Sequence, residues 1–167
     1  NSLNTLISEI RYNPKNAELF TQHLSDVYRY ILQCQNQRLA TLHNELSFLD
    51  SYVFLHQVRL GDCIHVHNYI PEEWKEMKLP PLTLQLLVEN VIKHNVIHSG
   101  KPMVIELTSI EEPPGLIISN AIRPKKCGGT SGMGLKNLSA RYKLLSNQNI
   151  VIENESDKFT VKIPLFR

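Results

Sequence analysis

The sequence predicts an α+β fold in which a helical hairpin precedes helices layered on strands. Three observations carry this. Apolar residues recur at a three-four spacing from Leu3 to Leu60, a strand-like alternation begins at Cys63, and helical and strand patterns then interleave to the end of the chain with Pro- and Gly-containing turns between them.

In the first arm Leu3, Leu6, Ile10, Ala17, Phe20, Leu24, Val27 and Ile31 form one seam, with Asn13 filling the gap between Ile10 and Ala17. Pro14 removes a backbone donor, which predicts a kink or brief break there. After a polar connection around Gln33 to Thr41, the run Leu42, Leu46, Leu49, Val53, His56 and Leu60 repeats the spacing, and Gly61-Asp62 ends it. Two helices with narrow seams cannot bury them alone. Either a second copy of the hairpin covers them, giving a four-helix dimer, or the rest of the same chain does.

Beyond Gly61 the period changes, which divides the chain into residues 1–61 and 62–167. Cys63 to Ile70 alternates as a strand with His65 and His67 on one face. A metal would need a third ligand of suitable spacing, and an exposed strand face is the simpler reading. Pro80-Pro81 opens a helix over 82–97, a position where proline costs little. Strands at Val104 to Ser109 and Leu116 to Ser119 flank the turn Glu111-Glu112-Pro113-Pro114-Gly115. A loop from Asn120 to Ser131 runs into a helix from about Gly134 to Leu145, and residues 148–154 and 158–165 close the chain as a hairpin turning near Ser156-Asp157.

Composition narrows the function less than the pattern does. Lys and Arg number 18 against 16 Asp and Glu, so no basic field points to nucleic acid. Cys34, Cys63 and Cys127 are odd in number with no CxxC pair, which disfavours a disulfide framework or zinc site and fits a reducing cytosol. No apolar run is long enough to span a membrane. The chain opens at Asn1 in mid-pattern without Met, as a piece of something longer would, and a membrane anchor upstream stays open.

The helix at 82–97 has two faces. Asn90, Lys93 and His94 fall within an arc of roughly 100°, with Leu86 and Ile97 between them and Leu84, Val88, Val91 and Ile92 opposite. An amide flanked by positive charge on a mixed surface suits a flat apolar group joined to phosphates and a metal; ordinary solvated polar residues are the alternative. The later stretch from Lys125 to Leu135 is basic at its start and holds Gly128, Gly129, Gly132 and Gly134 before a helix. Free N–H groups at a helix start and glycines that admit close approach make phosphate binding physically reasonable, against the alternative of a surface linker. The spacing excludes a P-loop, since no Gly-Lys-Ser/Thr ending is present, and Asn137 stands where a dinucleotide fingerprint has its third glycine.

In order, Asn90-x-x-Lys93-His94, then Ile117-Ile118-Ser119-Asn120 at a strand end, then Gly132-x-Gly134-Leu135 before a helix resemble the N, G1 and G2 boxes of the Bergerat ATP-binding fold. The match is best with LytS-like sensor histidine kinases, where a Leu-x-Pro-Leu-Val-Glu-Asn-Ala-x-Lys-His-like helix precedes a Gly-x-Gly-Leu helix start. Leu24 to Tyr30 and Glu45 to Tyr52 resemble that family's two dimerisation helices, and Asn1 to Leu6 the end of its Asn-Pro-His-Phe-Leu-Phe-Asn-Ser-Leu-Asn motif. The resemblance covers essentially the whole chain. It implies a Bergerat-type sandwich with a mixed, mostly antiparallel sheet and helices on one face, preceded by a dimerisation hairpin that makes a homodimer.

The same resemblance implies ATP and Mg²⁺ as cofactors. Asn90 would ligand the Mg²⁺, Lys93 and His94 would lie near the phosphates, and Gly132, Gly134 and Leu135 would complete the nucleotide site. Residues 122–131 would form a lid containing Lys125, Lys126, Gly128, Gly129, Thr130 and Ser131. Asn120 stands where many relatives carry an Asp that accepts from the adenine amino group; its carboxamide oxygen can accept that bond without charge. Ala121 and Ile122 depart from the family's usual next residues.

The implied activity is that of a protein-histidine kinase, signalling to a response regulator, on the cytoplasmic side of an inner-membrane-anchored bacterial protein. No catalytic residue falls within this sequence by that comparison, because the phosphoacceptor histidine is expected upstream of Asn1. Two alternatives stand beside it. ATPases of the same fold carry a water-activating Glu one turn before the metal Asn, where this chain has Leu86, and Glu89 points about 100° away from Asn90. A non-enzymatic dimeric module with a degenerate nucleotide site is the other, motivated by the altered adenine box.

Overall fold

The computed structural model describes residues 2–98, 100–125 and 133–167. The expectations for Lys126, Gly128, Gly129, Thr130, Ser131 and Gly132 lie outside the described residues. Helices α1 (Ser2–Tyr12) and α2 (Pro14–Cys34) are separated at Asn13, as Pro14 dictates. The break costs little, because the first helical position needs no donor and the Asn13 side chain accepts from the Asn16 amide at 3.3 Å. Strand β1 (Ala40–Thr41) leads into α3 (Leu42–Leu60), which Thr41 caps by accepting from the Asn44 amide at 3.3 Å. Gly61, at φ 79°, ends α3 in a conformation that side chains avoid.

The remaining elements are β2 (Ile64–Asn68), β3 (Lys78–Leu79), α4 (Thr83–His94), β4 (Met103–Ile110), β5 (Gly115–Ala121), α5 (Met133–Ser146), β6 (Val151–Asn154) and β7 (Lys158–Pro164). Five strands form one sheet in the order β2-β4-β5-β7-β6, with β2 parallel to β4 and every other neighbour antiparallel. This is the mixed, mostly antiparallel sheet that the family pattern implies. The two-residue strands β1 and β3 pair separately. They are too short to show a period, so the sequence pattern does not reveal them.

One face of the sheet carries the core. Ile105 and Leu107 of β4, Leu116 and Ile118 of β5 and Val161 and Ile163 of β7 pack against Leu84, Leu87, Val88 and Val91 of α4 and Leu138 and Tyr142 of α5. Leu42, Leu46, Leu49 and Val53 of α3 belong to the same core. The α3 seam from Leu42 to Val53 is thus covered by its own chain, while Leu60 stays exposed, and the core crosses residue 61. Helix α2 lies on the other side of α3, where Tyr30 stacks on Phe48 at 4.7 Å and His23 meets Phe54 at 4.3 Å. Along α1 nothing is buried, and Leu3, Ile7 and Ile10 stand exposed.

His56 illustrates what a seam position does to a histidine. It packs on Tyr52 at 4.6 Å, and its Nδ1 accepts from the Arg59 guanidinium at 3.0 Å, which requires a neutral ring. Burial, then the Arg59 charge, lower its pKa to about 4. The unfolded ring titrates near its ordinary value of about 6.5. Between these values the unfolded chain binds the extra proton, so this group's contribution to stability falls as pH drops from about 6.5 towards 4. We predict that His56→Gln flattens the decline of the urea midpoint between pH 7 and pH 5. An NMR titration placing the His56 midpoint near 6.5 would refute the depressed value.

Both ends of α4 depart from local expectation. Leu82 sits before it at φ 63°, the left-handed region, a strain of about 1–3 kcal/mol for a non-glycine residue. Its cap comes from far away in the chain. The Glu45 carboxylate on α3, fully buried, accepts from the Leu82 amide at 2.7 Å and the Leu84 amide at 3.0 Å, and Tyr30 of α2 donates its hydroxyl to the same carboxylate at 2.8 Å. At the other end the helix stops at His94 instead of continuing to residue 97, so Ile97 is not on the polar helical face. Asn95 is extended, and its amide nitrogen donates to the Val91 carbonyl at 3.0 Å while its oxygen accepts from the Arg123 amide at 2.7 Å.

Candidate functional site

A cavity of about 370 Å³ opens where the second half of α4, the end of β5, residues 122–125, the first turn of α5 and the β6–β7 hairpin converge. Asn90, Lys93 and His94 line it from α4, Asn120 from β5, Lys125 from the following segment and Leu135 from α5. Gly134 stands beside them, since a Cβ on it would lie 3.7 Å from both polar atoms of Asn90 and 3.7 Å from Leu86. The fold therefore brings together residues that three separate sequence segments supply. Gly132 and the lid positions from Lys126 to Ser131 lie outside the described residues.

The local reason for each placement is visible. On β5, Leu116, Ile118 and Asn120 face inward by strand alternation, and the row turns polar at its last member, where the cavity begins. Asn120 is 4% exposed, and its amide nitrogen donates to the Ala121 carbonyl at 2.7 Å, which leaves the side-chain oxygen as an acceptor. Asn90 differs, because its amide nitrogen is buried with no hydrogen-bond partner among the described residues. An unpaired buried amide costs about 1–3 kcal/mol, which a polar ligand would recover. Val91, Ile122, Pro124, Leu135 and Phe159 supply apolar walls suited to a flat ring.

The cations are not equivalent. Lys125 donates its ammonium to the Ile92 carbonyl at 2.8 Å, at the C-terminal end of α4 where the helix carbonyls favour positive charge. Its backbone amide donates to the His94 carbonyl at 3.1 Å, and the Val96 amide to the Arg123 carbonyl at 2.7 Å. With Asn95 these bonds fasten residues 122–125 to the end of α4. Lys93 and His94 remain on the cavity side of the helix.

Ile122 and Pro124 fall in the segment expected as a lid, but the sequence pattern does not find Asn95, Asn154 or Phe159, and it places Val91 on the opposite face of the helix, although all of these line the cavity. Asn95 carries one legible signal, an Asn where a helix stops. Asn154 and Phe159 carry none, because strand pairing alone sets them opposite one another and sets Phe159 opposite Asn120.

The donor set has a definite chemistry. Asn90 offers a carboxamide oxygen, a hard donor of the kind Mg²⁺ accepts. Among the described residues no group of three His, Cys, Asp or Glu could hold a metal by itself. Among the described residues no carboxylate lines this wall: Leu86 occupies the turn before Asn90, and exposed Glu89 lies near Tyr52 of α3. There its charge adds to burial in raising the pKa of the Tyr52 hydroxyl.

A histidine kinase family model matches residues 1–64. The sensor protein LytS of Staphylococcus haemolyticus is 32% identical over 109 residues, covering 65% of this chain and 19% of the relative. The sensor histidine kinase/phosphatase LytS of Staphylococcus aureus is 29% identical over 172 aligned positions, covering 93% of this chain and 30% of the relative. The chain thus spans less than a third of the length of these curated relatives. Among solved structures, the catalytic domain of histidine kinase ThkA is similar in fold, with a TM-score of 0.50 at 18% identity over 75% of this chain and 94% of that one. A bacterial phosphotransferase is similar with a TM-score of 0.51 at 8% identity over 96% of this chain and 85% of that one. The N-terminal family match and the similarity to LytS over most of the chain together support a LytS-like histidine kinase family for this chain.

Proposed function

We propose that this chain is the kinase core of a two-component sensor histidine kinase, binding Mg²⁺-ATP in the cavity between α4, β5 and α5. The observation that carries this reading is Asn90, whose unpartnered amide faces Gly134 across from Asn120 and an apolar slot. In this reading the adenine occupies the slot with its amino group toward Asn120. Asn90 would hold the Mg²⁺, which would neutralise phosphate charge, with Lys93 and His94 on the same wall. Ile122, Pro124 and Lys125 line the cavity beside them. Phosphoryl transfer depends mainly on positioning and charge neutralisation, and these side chains supply both.

The γ-phosphate then passes to a histidine of the motif that precedes Asn-Ser-Leu-Asn in the family, and from there to a response regulator. The core works as a homodimer in the cytoplasm, attached to a membrane-anchored sensor. Support for the dimer comes from α1 and α2, where Leu3, Ile7, Ile10, Tyr28 and Leu32 are exposed beside a groove of about 180 Å³ lined by Thr5, Leu24, Tyr28 and His56. No helix among the described residues is long and apolar enough to cross a membrane.

One experiment tests the phosphoryl route. Incubated with γ-labelled ATP and Mg²⁺, the chain of this sequence is predicted to acquire no acid-labile label, and a chain extended through the family's motif is predicted to acquire it. His56 is the seam histidine that would otherwise compete, and it is a poor acceptor because its ring is half-buried and its Nδ1 lone pair is engaged by Arg59. Label mapped to any of the seven histidines present would overturn the assignment.

A further inference from the structure

The start of α4 is held by residues that the nucleotide reading does not use. Glu45 lies in the first turn of α3, 37 residues before Leu82, yet its carboxylate accepts from the first amides of α4 and from the Tyr30 hydroxyl. Four elements meet here, because Arg141 of α5 donates to the Pro81 carbonyl at 3.1 Å. A buried carboxylate is a costly way to cap a helix. Burial pushes its pKa up, and the bonds from Leu84, Tyr30, Leu82 and Thr83 pull it back. A residue such as Ser or Asp at the helix's own cap position would satisfy the Leu84 amide locally, though not its own. What the long-range cap adds is a mechanical link, because α4 cannot shift along its axis without breaking bonds to α3.

We infer that Glu45 is a positioning residue that clamps α4 to the helical arm, so that the placement of α3 and α2 sets the placement of Asn90 in the cavity. The reasoning is geometric. Leu82 is held in the left-handed region just where Glu45 grips it, and α4 then runs as one rigid helix to Asn90, two turns further on. Tyr30 extends the clamp to α2, which packs on α3 on the side away from the sheet. A displacement of the arm therefore reaches the cavity through two packed helices and one carboxylate, with no flexible segment between. This inference rests on α4 being a wall of the nucleotide site.

Glu45→Gln keeps the shape and removes the charge, and Tyr30→Phe keeps the carboxylate and removes its side-chain donor. Calorimetry with Mg²⁺-ATP, under conditions where circular dichroism shows both variants folded, is expected to give a Kd raised at least tenfold in Glu45→Gln and less in Tyr30→Phe. Hydrogen exchange is expected to show the amides of the first turns of α4 losing protection at least tenfold, while those of β4, β5 and β7 keep theirs. Unchanged affinity together with unchanged α4 protection would overturn the clamp. So would an even loss of protection over the whole chain, which marks Glu45 as a stability residue only. If Glu45→Gln does not fold, Tyr30→Phe decides by the same readouts. A wild-type chain that fails to bind Mg²⁺-ATP would defeat the nucleotide reading, and selective loss of α4 protection would still uphold the clamp.

Discussion

Asn90→Ala is expected to abolish most of the Mg²⁺ dependence of ATP binding while leaving the fold intact. The loss should be on the order of 3 kcal/mol, because the carboxamide acts on a metal that itself acts on charged phosphates in a partly dry site. That corresponds to roughly a hundredfold in affinity at saturating Mg²⁺. The fold should survive because the Asn90 amide nitrogen has no hydrogen-bond partner among the described residues, so truncation removes an unpaired buried group. The space beside it is bounded by Gly134 and Leu86. Calorimetry with and without Mg²⁺ on wild type and variant decides it. Equal Mg²⁺-ATP affinity in the two proteins would sink the metal assignment.

The second large effect is expected at Asn120. Replacement by alanine should weaken adenine-nucleotide binding by about 1–3 kcal/mol, since the base amino group would be buried without an acceptor. Asn120→Asp should cost less. It keeps an acceptor toward the base, although the oxygen that replaces the amide nitrogen loses the bond to the Ala121 carbonyl and must turn away from it. Guanine presents a carbonyl where adenine presents its amino group, so the alanine variant should also lose its preference for ATP over GTP. Competition binding in which it retains that preference would show that another group reads the base, with Asn154 and the backbone of residues 122–125 the nearest candidates on the cavity wall.

How much of this was legible in the sequence differs from element to element. The period-2 run at residues 63–70 and the apolar stretches at 104–109 and 116–119 became β2, β4 and β5 within a residue or two, because alternation against a buried face is a local property. The polar arc of α4 was legible for the same reason: helical spacing alone puts Asn90, Lys93 and His94 together, and the cavity takes all three. Helix ends were less legible. The spacing runs through Ile97, but Asn95 finds partners in Val91 and Arg123, and the second of these lies 28 residues away.

By itself, then, the sequence determined the period of each element, the break at Pro14, the change of architecture after Gly61 and the three boxes whose order marks the family, since each depends on neighbours a few positions apart. Tertiary structure alone decided that the α3 seam from Leu42 to Val53 is spent on the core of its own chain. It alone decided that Phe159 and Asn154 join Asn120 at the cavity, and that Glu45 caps a helix 37 residues later. The physical reason is the same in each case. A buried surface or a buried amide must find a partner somewhere, local pattern fixes only that the need exists, and the partner is chosen by which distant elements the packed core brings within hydrogen-bond reach.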